Sequence, residues 1–371
     1  MRNSVSKILD LDPLLSYDRR QLSQEMTIAR IEEMAKLVWK GKNVSNRHLV
    51  GRHDLHIHES FDGRVKTGQP SALLSATDDW HNRLIAGDKA VVLPALLHEF
   101  ANRVDLIYID PPFMTGRNFA SYSDRWSKDL DAYLQWLYET LILLHQLLAN
   151  DGSLYVHLDW RTTHYARIIL DEVFGFAPNA EGPGFKNEII WHYQSGGRSR
   201  RSYARKHDTL LLYSKSTEYC FHGERVGERR GQQRRNHMRK QVGDDGQVQW
   251  TIHSAGKLYT YDENNVLTPS DVWSDISHLQ QKDPERNGYA TQKPAALLER
   301  IVLASSEEND LVLDCFCGSG VTPVTAEQLG RRWIACDQNP EAIQVTRERL
   351  LGREELRPFV VQVTAPQSDY V

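Results

Sequence analysis

The chain has 371 residues, enough for one large or two modest domains with a substantial core. Its hydrophobic content of 40% and charged content of 25% are ordinary for a globular protein, and no apolar run approaches the length of a membrane-spanning helix. Charged residues interrupt the N-terminus where a signal peptide needs an apolar core, so we expect a cytoplasmic protein without membrane contact. The four cysteines are too sparse for a disulfide framework, and no metal site is expected at Cys315, Cys317 and Cys336.

The net charge of −4 conceals a strongly basic segment. Residues 186–240 contain fourteen Lys and Arg residues against five Asp and Glu residues, so the rest of the chain carries a net charge of −13. One basic segment on an acidic body indicates nucleic-acid binding better than a high overall isoelectric point does. A solvated charge run is the alternative interpretation.

Residues 1–76 are predicted to form a helical extension followed by a linker. Apolar residues recur at helical spacing between Gln21 and Lys40. The next stretch contains His53, His56 and His58, where a short strand or loop is favoured over a metal site.

An α/β pattern occupies residues 77–216. The predicted elements are a strand over 82–88, a helix over 90–100, a strand over 104–110, a helix over 129–149, a strand over 153–160, a helix over 164–175, and paired strands over 187–193 and 207–215. Strands that alternate with helices predict a largely parallel sheet covered on both faces.

The α/β pattern stops after residue 216 and returns at residue 291. The polar stretch 217–290 is predicted to be an insert, because tryptophans and tyrosines interrupt it without helical or strand periodicity. The second α/β part, 291–356, has predicted helices over 294–305, 322–329 and 340–350 and predicted strands over 311–316 and 333–337. Residues 357–371 are assigned to a C-terminal tail.

The stretch "LVLDCFCGSGVT" reads as a strand, a glycine turn and the start of a helix. Gly318 and Gly320 let the backbone approach a ligand, but Pro323 stands where a dinucleotide-binding G-x-G-x-x-G motif has its third glycine. Asp314 and Asp337 end two successive strands, at a spacing suited to ribose hydroxyls. Carboxylates around the turn favour a ligand with an ammonium group, S-adenosylmethionine, over a pyrophosphate. A glycine turn that only packs helix on strand is the alternative.

The stretch "LIYIDPPFMTG" ends a strand with an acidic residue, two prolines and an aromatic ring. The exocyclic amine of adenine or cytosine is a poor nucleophile, because its lone pair is delocalised into the ring. Two acceptors, the Asp110 carboxylate and the Pro111 carbonyl, are placed to bind its N–H groups, and the prolines, with Pro112 second, fix the backbone. Phe113 offers a face on which an extruded base can stack.

The combination of these motifs resembles the amino-group-specific DNA methyltransferases over about residues 80–352. DPPF matches the catalytic motif and DCFCGSG the cofactor motif, with "TQKP" between them, in the permuted order called the β group. "DPPFMTGRNFASYSDRW", "DGSLYVHLDW" and "RKHDTLLLYSK" resemble type III modification subunits and solitary, site-specific adenine methyltransferases. The resemblance implies a circularly permuted, Rossmann-like α/β methyltransferase fold in which 217–290 form the target-recognition region.

The resemblance also implies roles for single residues. Asp88 would lie near the cofactor adenine, and Gln292 and Lys293 near its methionine carboxylate. The remaining implied cofactor-binding residues are Asp110, Asp314, Phe316, Gly318, Gly320 and Asp337. Phosphate contacts are expected from Arg198, Arg200, Arg201, Arg205 and Lys206. Thr115 to Lys128 would form a mobile lid, and Met114 departs from the asparagine frequent in the family.

The sequence therefore predicts an enzyme that methylates the N6 amine of adenine in double-stranded DNA. Methylation of cytosine N4 stays open, because the hydrogen-bonding demand of both amines is the same. An RNA substrate, a non-catalytic DNA-binding protein on a decayed fold and a nicotinamide-dependent dehydrogenase are further alternatives. Relatives that dimerise suggest a homodimer, and restriction would belong to a separate polypeptide.

Overall fold

An eleven-stranded sheet organises the part of the chain that the structure describes. The structure is a computed structural model that describes residues 35–43, 54–67, 80–116, 129–176, 181–194, 200–229, 238–242, 248–262 and 266–364. Most of the predicted N-terminal helix, His53, Arg198 and most of the predicted lid lie outside the described residues. No helix within these ranges has the length and apolar composition that crossing a bilayer requires.

The strands and helices of the described residues follow the predicted alternation. The strands are β1 His56–Asp62, β2 Val65–Thr67, β3 Asn82–Ala86, β4 Val104–Ile109, β5 Leu148–Leu158, β6 Gly184–His192, β7 His207–Ser214, β8 Glu228–Arg229, β9 Arg239–Val242, β10 Val248–Ser254, β11 Lys257–Asp262, β12 Val266–Leu267, β13 Val272–Trp273, β14 Leu311–Asp314, β15 Arg332–Asp337 and β16 Phe359–Val363. The helices are α1 Lys89–Phe100, α2 Leu130–Leu147, α3 Thr163–Phe174, α4 Ala295–Ser305, α5 Val321–Gln328 and α6 Pro340–Leu351.

The strand order of the large sheet is β13–β6–β7–β5–β4–β14–β15–β3–β16–β1–β2. The six consecutive strands β5, β4, β14, β15, β3 and β16 are all parallel to one another. β7 runs antiparallel to β5 and to β6, and β1 runs antiparallel to β16. The predicted parallel α/β sheet and the predicted strand pair are therefore confirmed.

Helices cover both faces of the sheet, as the continuous apolar strands require. The cluster on one face contains buried residues of α1, α2 and α3, and the cluster on the other contains buried residues of α4, α5 and α6. Strand β4 contributes to both, because alternate residues point to opposite faces: Ile107 and Ile109 join the first cluster, and Leu106 and Tyr108 join the second. The strand thereby fixes which face each following side chain can reach.

The chain ends add to this sheet. Residues 359–363, assigned to a tail from the sequence, form β16 between β3 and β1.

Near the N-terminus, Trp39 is buried against Tyr138 of α2 at a centroid distance of 5.7 Å, and the Lys42 Nζ lies 2.7 Å from the Glu172 carboxylate of α3. Five strands in the described part of the insert form two small antiparallel sheets, β11–β10–β9 and β12–β8.

Candidate active site

The catalytic and cofactor motifs lie side by side because their strands are neighbours in the sheet. β4 and β14 are parallel, with Ile107 opposite Leu313, so Asp110 and Asp314 follow at the same edge. A cavity of about 410 Å³ opens there. Its lining includes ten residues predicted from the sequence: Asp88, Asp110, Pro111, Pro112, Phe113, Lys293, Asp314, Phe316, Gly318 and Asp337.

The catalytic loop is held from two sides. Lys293 forms a salt bridge with Asp110 Oδ2, whereas the buried Asp110 Oδ1 has no hydrogen-bond partner within the described part of the chain. The buried Tyr133 hydroxyl donates a hydrogen bond of 3.0 Å to the Pro112 carbonyl. The loop therefore keeps one carboxylate oxygen available as an acceptor while its backbone is fixed.

Met114 follows the catalytic motif with a φ of 56°. This left-handed region is entered by asparagine more readily than by methionine. The conformation accounts for the frequent asparagine at this position of the family, and it bends the chain away from the strand direction directly after Phe113.

Two carboxylates, the buried Asp314 and the half-buried Asp337, shape the glycine loop. Asp314 accepts hydrogen bonds from the Phe316 backbone N–H at 2.9 Å and from the Thr322 hydroxyl at 2.6 Å, and burial raises its pKa to about 7. Asp337 accepts from the Gly318 N–H at 2.9 Å, and burial raises the pKa of this carboxyl as well. Two neighbouring acids at this edge create a site that favours a cationic ligand.

The far wall of the cavity contains residues that the sequence analysis missed. Lys89 is buried at the start of α1, with its Nζ 4.7 Å from the centroid of Trp136, and Trp136 lies 5.5 Å from Phe316. Burial lowers the pKa of Lys89. Asp88 caps the same helix by accepting from the Ala90 N–H at 2.7 Å. The position of Lys89 beside the predicted Asp88 was the one sequence signal for it.

Two predicted cofactor residues lie outside the cavity lining. Both polar atoms of the Gln292 side chain bind the preceding loop: Oε1 accepts from the Asn287 N–H at 2.9 Å, and Nε2 donates to the Glu285 carbonyl at 2.8 Å. Gly320 packs against α6, where an added Cβ would lie 2.6 Å from Thr346 Oγ1. Their predicted cofactor contacts stay predictions.

Four of the five predicted phosphate-binding residues are described, and they lie at the same edge of the sheet as the cavity. Arg200, Arg201 and Arg205 are exposed and Lys206 is half-buried, just before β7. The start of β7 pairs with the carboxyl end of β5, which neighbours β4. This loop therefore borders the catalytic motif.

An exposed tryptophan lies within the basic surface. Trp160 follows β5 with 44% of its surface exposed. The Arg205 guanidinium lies 4.0 Å from its ring centroid, and that of Arg161 lies 4.9 Å away. Cationic groups stacked on an exposed ring suit contact with nucleic acid. Trp160 was not predicted to be functional, although it is the last residue of the predicted strand 153–160.

One group of potential metal ligands occurs in the described ranges, and it differs from the cysteines weighed above. Ligand atoms of Cys220, His222 and Glu307 lie within 4.8 Å of one another. The Glu307 carboxylate already pairs with the Arg225 guanidinium at 2.8 Å and with the His222 imidazole at 2.7 Å. These contacts account for the cluster, so we infer no metal site from it.

Comparisons with known proteins identify the family. A sequence profile of the N6/N4 methyltransferases, described as DNA methylase, matches residues 104–348. The type II methyltransferase M.HpaI of Haemophilus parainfluenzae is 30% identical over 70% of this chain and 71% of its own. The DNA adenine methyltransferase YhdJ of Escherichia coli is 30% identical over 67% of this chain and 77% of its own. The solved M1.HpyAVI–SAM complex covers 72% of this chain and 98% of its own, with 19% identity and a TM-score of 0.46. The family profile spans well over half of the chain, so the protein belongs to the N6/N4 DNA methylase family, which confirms the predicted class of enzyme.

Proposed function

We propose that the protein transfers a methyl group from S-adenosylmethionine to the N6 amine of an adenine flipped out of double-stranded DNA. The observation that carries this proposal is the position of Asp110 and Pro111 at the mouth of a carboxylate-lined cavity. The exposed arginines lie at the same edge of the sheet, where a DNA backbone would bring a target base to the two acceptors.

The cavity suits S-adenosylmethionine in size and in charge. Its volume of about 410 Å³ is in the usual range for small-molecule sites. Asp314 and Asp337 offer negative charge to a cationic ligand, and Phe316 offers an apolar face. At Gly318, an added Cβ would lie 3.2 Å from Tyr289 Cε1, so the glycine keeps this wall of the cavity open. When bound, the cofactor supplies an electrophilic methyl group on a sulfonium.

The protein's own groups prepare the target amine. Asp110 Oδ1 accepts one N–H of the amine and the Pro111 carbonyl accepts the other, which localises the lone pair on nitrogen. Tyr133 holds the Pro112 carbonyl, so the two acceptors do not have to reorganise during the reaction. Phe113 stacks on the flipped base.

The choice of adenine rests on the motif and on a relative. The acidic first residue of DPPF favours adenine over cytosine, and YhdJ, at 30% identity, is named a DNA adenine methyltransferase. Cytosine N4 remains the second candidate, because both amines present two N–H groups to the same acceptors.

The finer features follow from the order of the motifs. The catalytic strand precedes the glycine loop in the chain, which supports the permuted β-group order, with 77–216 and 291–356 as the two halves of the methyltransferase domain. M.HpaI carries the designation type II, so the resemblance to type III subunits rests on the sequence motifs alone. Pairing with a separate restriction enzyme, a homodimer and a cytoplasmic location belong to this proposal.

The test is a methylation assay with radiolabelled S-adenosylmethionine and unmethylated duplex DNA, followed by digestion to nucleosides. We expect label in N6-methyladenine with the wild type, none with Asp110→Ala, and the wild-type amount with Asp62→Ala, which removes an exposed carboxylate on β1. Label in N4-methylcytosine would show that the target base is cytosine, the second candidate. No label in DNA while the cofactor binds would contradict the proposal.

A further inference from the structure

A buried row of polar side chains crosses three neighbouring strands beside the catalytic loop. Tyr108 on β4, His157 on β5 and Asp208 on β7 point to the same face of the sheet, consistent with the strand registers. The Tyr108 hydroxyl lies 2.8 Å from His157 Nδ1, and His157 Nε2 lies 3.3 Å from Asp208 Oδ2. None of the three was predicted to be functional.

The partners of His157 define where its proton resides. Asp208 also accepts from the Tyr193 hydroxyl at 2.9 Å. Burial acts to raise the pKa of Asp208, but the bonds from His157 and Tyr193 and the charge of Lys293 outweigh it and lower this pKa. An ionised carboxylate only accepts hydrogen bonds, so His157 Nε2 donates to Asp208, which leaves Nδ1 as the atom that accepts from the Tyr108 O–H. The arrangement matches the order acid, histidine and hydroxyl of a hydrolase triad.

The hydroxyl end of this row faces the reaction. Tyr108 lies on β4, two residues before Asp110, and both residues line the cavity. Burial raises the pKa of Tyr108 well above its ordinary value, and the charges of Asp110, Asp314 and Asp208 raise it further, so the phenol stays protonated. His157 is fully buried, with the Phe113 ring 6.0 Å away on one side and the Trp191 ring 5.6 Å away on another.

Amine methylation needs an acceptor for one proton. As the target nitrogen gains the methyl group it acquires a positive charge, and one N–H bond must break to give the neutral product. Asp110 Oδ2 is already paired with Lys293, so a second acceptor on the cavity wall would relieve Asp110 of this proton. The described part of the chain offers one buried histidine near Phe113 that is hydrogen-bonded to a residue of the cavity wall.

We propose that Tyr108, His157 and Asp208 form a relay that takes up the proton lost from the target amine, an assignment that rests on the proposed function. The N–H bond breaks and its electron pair stays on the amine nitrogen, while the proton passes to the oxygen of Tyr108, which lines the cavity. The original Tyr108 proton moves to His157 Nδ1, and the imidazolium is stabilised by Asp208. The Asp208 side chain is 13% exposed, and the proton returns to solvent there.

The kinetic test compares two tyrosines that each lose one buried hydroxyl. Tyr108→Phe removes the relay's hydroxyl. Tyr155→Phe removes an equally buried hydroxyl whose 2.8 Å bond goes to Ser305 Oγ on α4, away from the cavity. With saturating cofactor and DNA, we expect the single-turnover rate of Tyr108→Phe to fall by about 100-fold, the scale of general acid–base catalysis, while the DNA affinity stays unchanged. Tyr155→Phe should keep the wild-type rate.

The second test uses the free protein and needs no turnover. The nitrogen chemical shifts of ¹⁵N-labelled histidine report the tautomer of each imidazole, and His157→Gln identifies the signal. We expect the Nε2–H tautomer for His157 and a shift towards Nδ1–H in Asp208→Asn. A wild-type Nδ1–H tautomer, or equal rates for Tyr108→Phe and Tyr155→Phe in an active enzyme, would overturn the relay alone. A wild type that transfers no methyl group to DNA would overturn the proposed function instead.

Discussion

The glycine loop makes a quantitative prediction at Gly320. This residue has a φ of 76°, and an added Cβ would lie 2.6 Å from Oγ1 and 2.9 Å from Cβ of Thr346. Thr346 is fully buried on α6, and its Cβ cannot move away by a side-chain rotation. Gly320→Ala therefore combines two unfavourable effects, a strained backbone conformation and a clash between α6 and the loop.

The two effects have separable magnitudes. A left-handed conformation costs a residue with a Cβ about 1–2 kcal/mol. Overpacking of a buried contact costs about 1–3 kcal/mol more. We therefore expect Gly320→Ala to lower the free energy of unfolding by about 2–5 kcal/mol. Gly256, in the turn between β10 and β11, has a φ of 77° and no heavy atom within 4 Å of an added Cβ. Gly256→Ala should show the backbone effect alone, about 1–2 kcal/mol.

The measurement is urea unfolding of the wild type, Gly320→Ala and Gly256→Ala, monitored by circular dichroism at one temperature. The difference between the two variants isolates the contact with Thr346, because the backbone angles are nearly identical. Equal losses of stability in both variants would refute the close approach of the glycine loop to α6. A loss of stability in Gly256→Ala but not in Gly320→Ala would also refute the backbone strain that we assign to an alanine at position 320.

Three further predictions concern charge, DNA binding and the N-terminal contact. Because burial raises the pKa of Asp314 to about 7, this carboxyl is largely protonated at pH 6 and ionised at pH 8, so affinity for the cationic cofactor should rise about tenfold over this range. Calorimetric titration of Asp314→Asn with the cofactor should show that affinity depends less on pH than in the wild type. An unchanged pH dependence of affinity would contradict the role assigned to Asp314. Arg205→Ala should weaken binding of every DNA sequence and reduce the slope of log affinity against log salt by about 1, whereas an exclusive change of sequence preference would contradict a phosphate contact. Trp39→Ala should lower the free energy of unfolding by about 3–5 kcal/mol in urea unfolding, and a loss below about 1 kcal/mol would show that the 35–43 segment does not pack on α2.

The central elements of the fold were predictable because their strands are buried on both faces. Leu106–Ile109 reads as an uninterrupted apolar run, and α3 ends before Gly175, which has a φ of 98°. Strand β16 escaped prediction because a segment of five residues, four of them apolar, is too short to show a distinguishing period. Its partner β1 is polar in sequence, and its buried Glu59 is paired with Lys66 at 2.6 Å and Arg347 at 2.7 Å. Around His56 and His58 the sequence favoured a short strand or a loop, but it did not indicate that this segment pairs with β16.

The motifs predicted where the site lies better than which atoms face it. DPPF and DCFCGSG lead to one cavity because each ends one of two adjacent parallel strands. The family resemblance places Gln292 near the cofactor, which stays a prediction, and in the structure its amide binds the loop that contains Glu285 and Asn287. A motif fixes the backbone position of a residue, whereas the side chain goes to the nearest unsatisfied polar groups, which belong to a loop of irregular sequence.

The Tyr108–His157–Asp208 row shows which information a sequence lacks. Each residue is visible as a polar side chain in or beside an apolar strand, but 49 residues separate the first pair and 51 the second. Their contact depends on β5 lying between β4 and β7, and on registers that place Tyr108 opposite Tyr155 and His157 opposite Leu210. A slip of one residue in either pair would turn a member to the opposite face. The same registers bury Leu210 and Tyr155 in the core, so the packing that stabilises the sheet also aligns the relay that we propose.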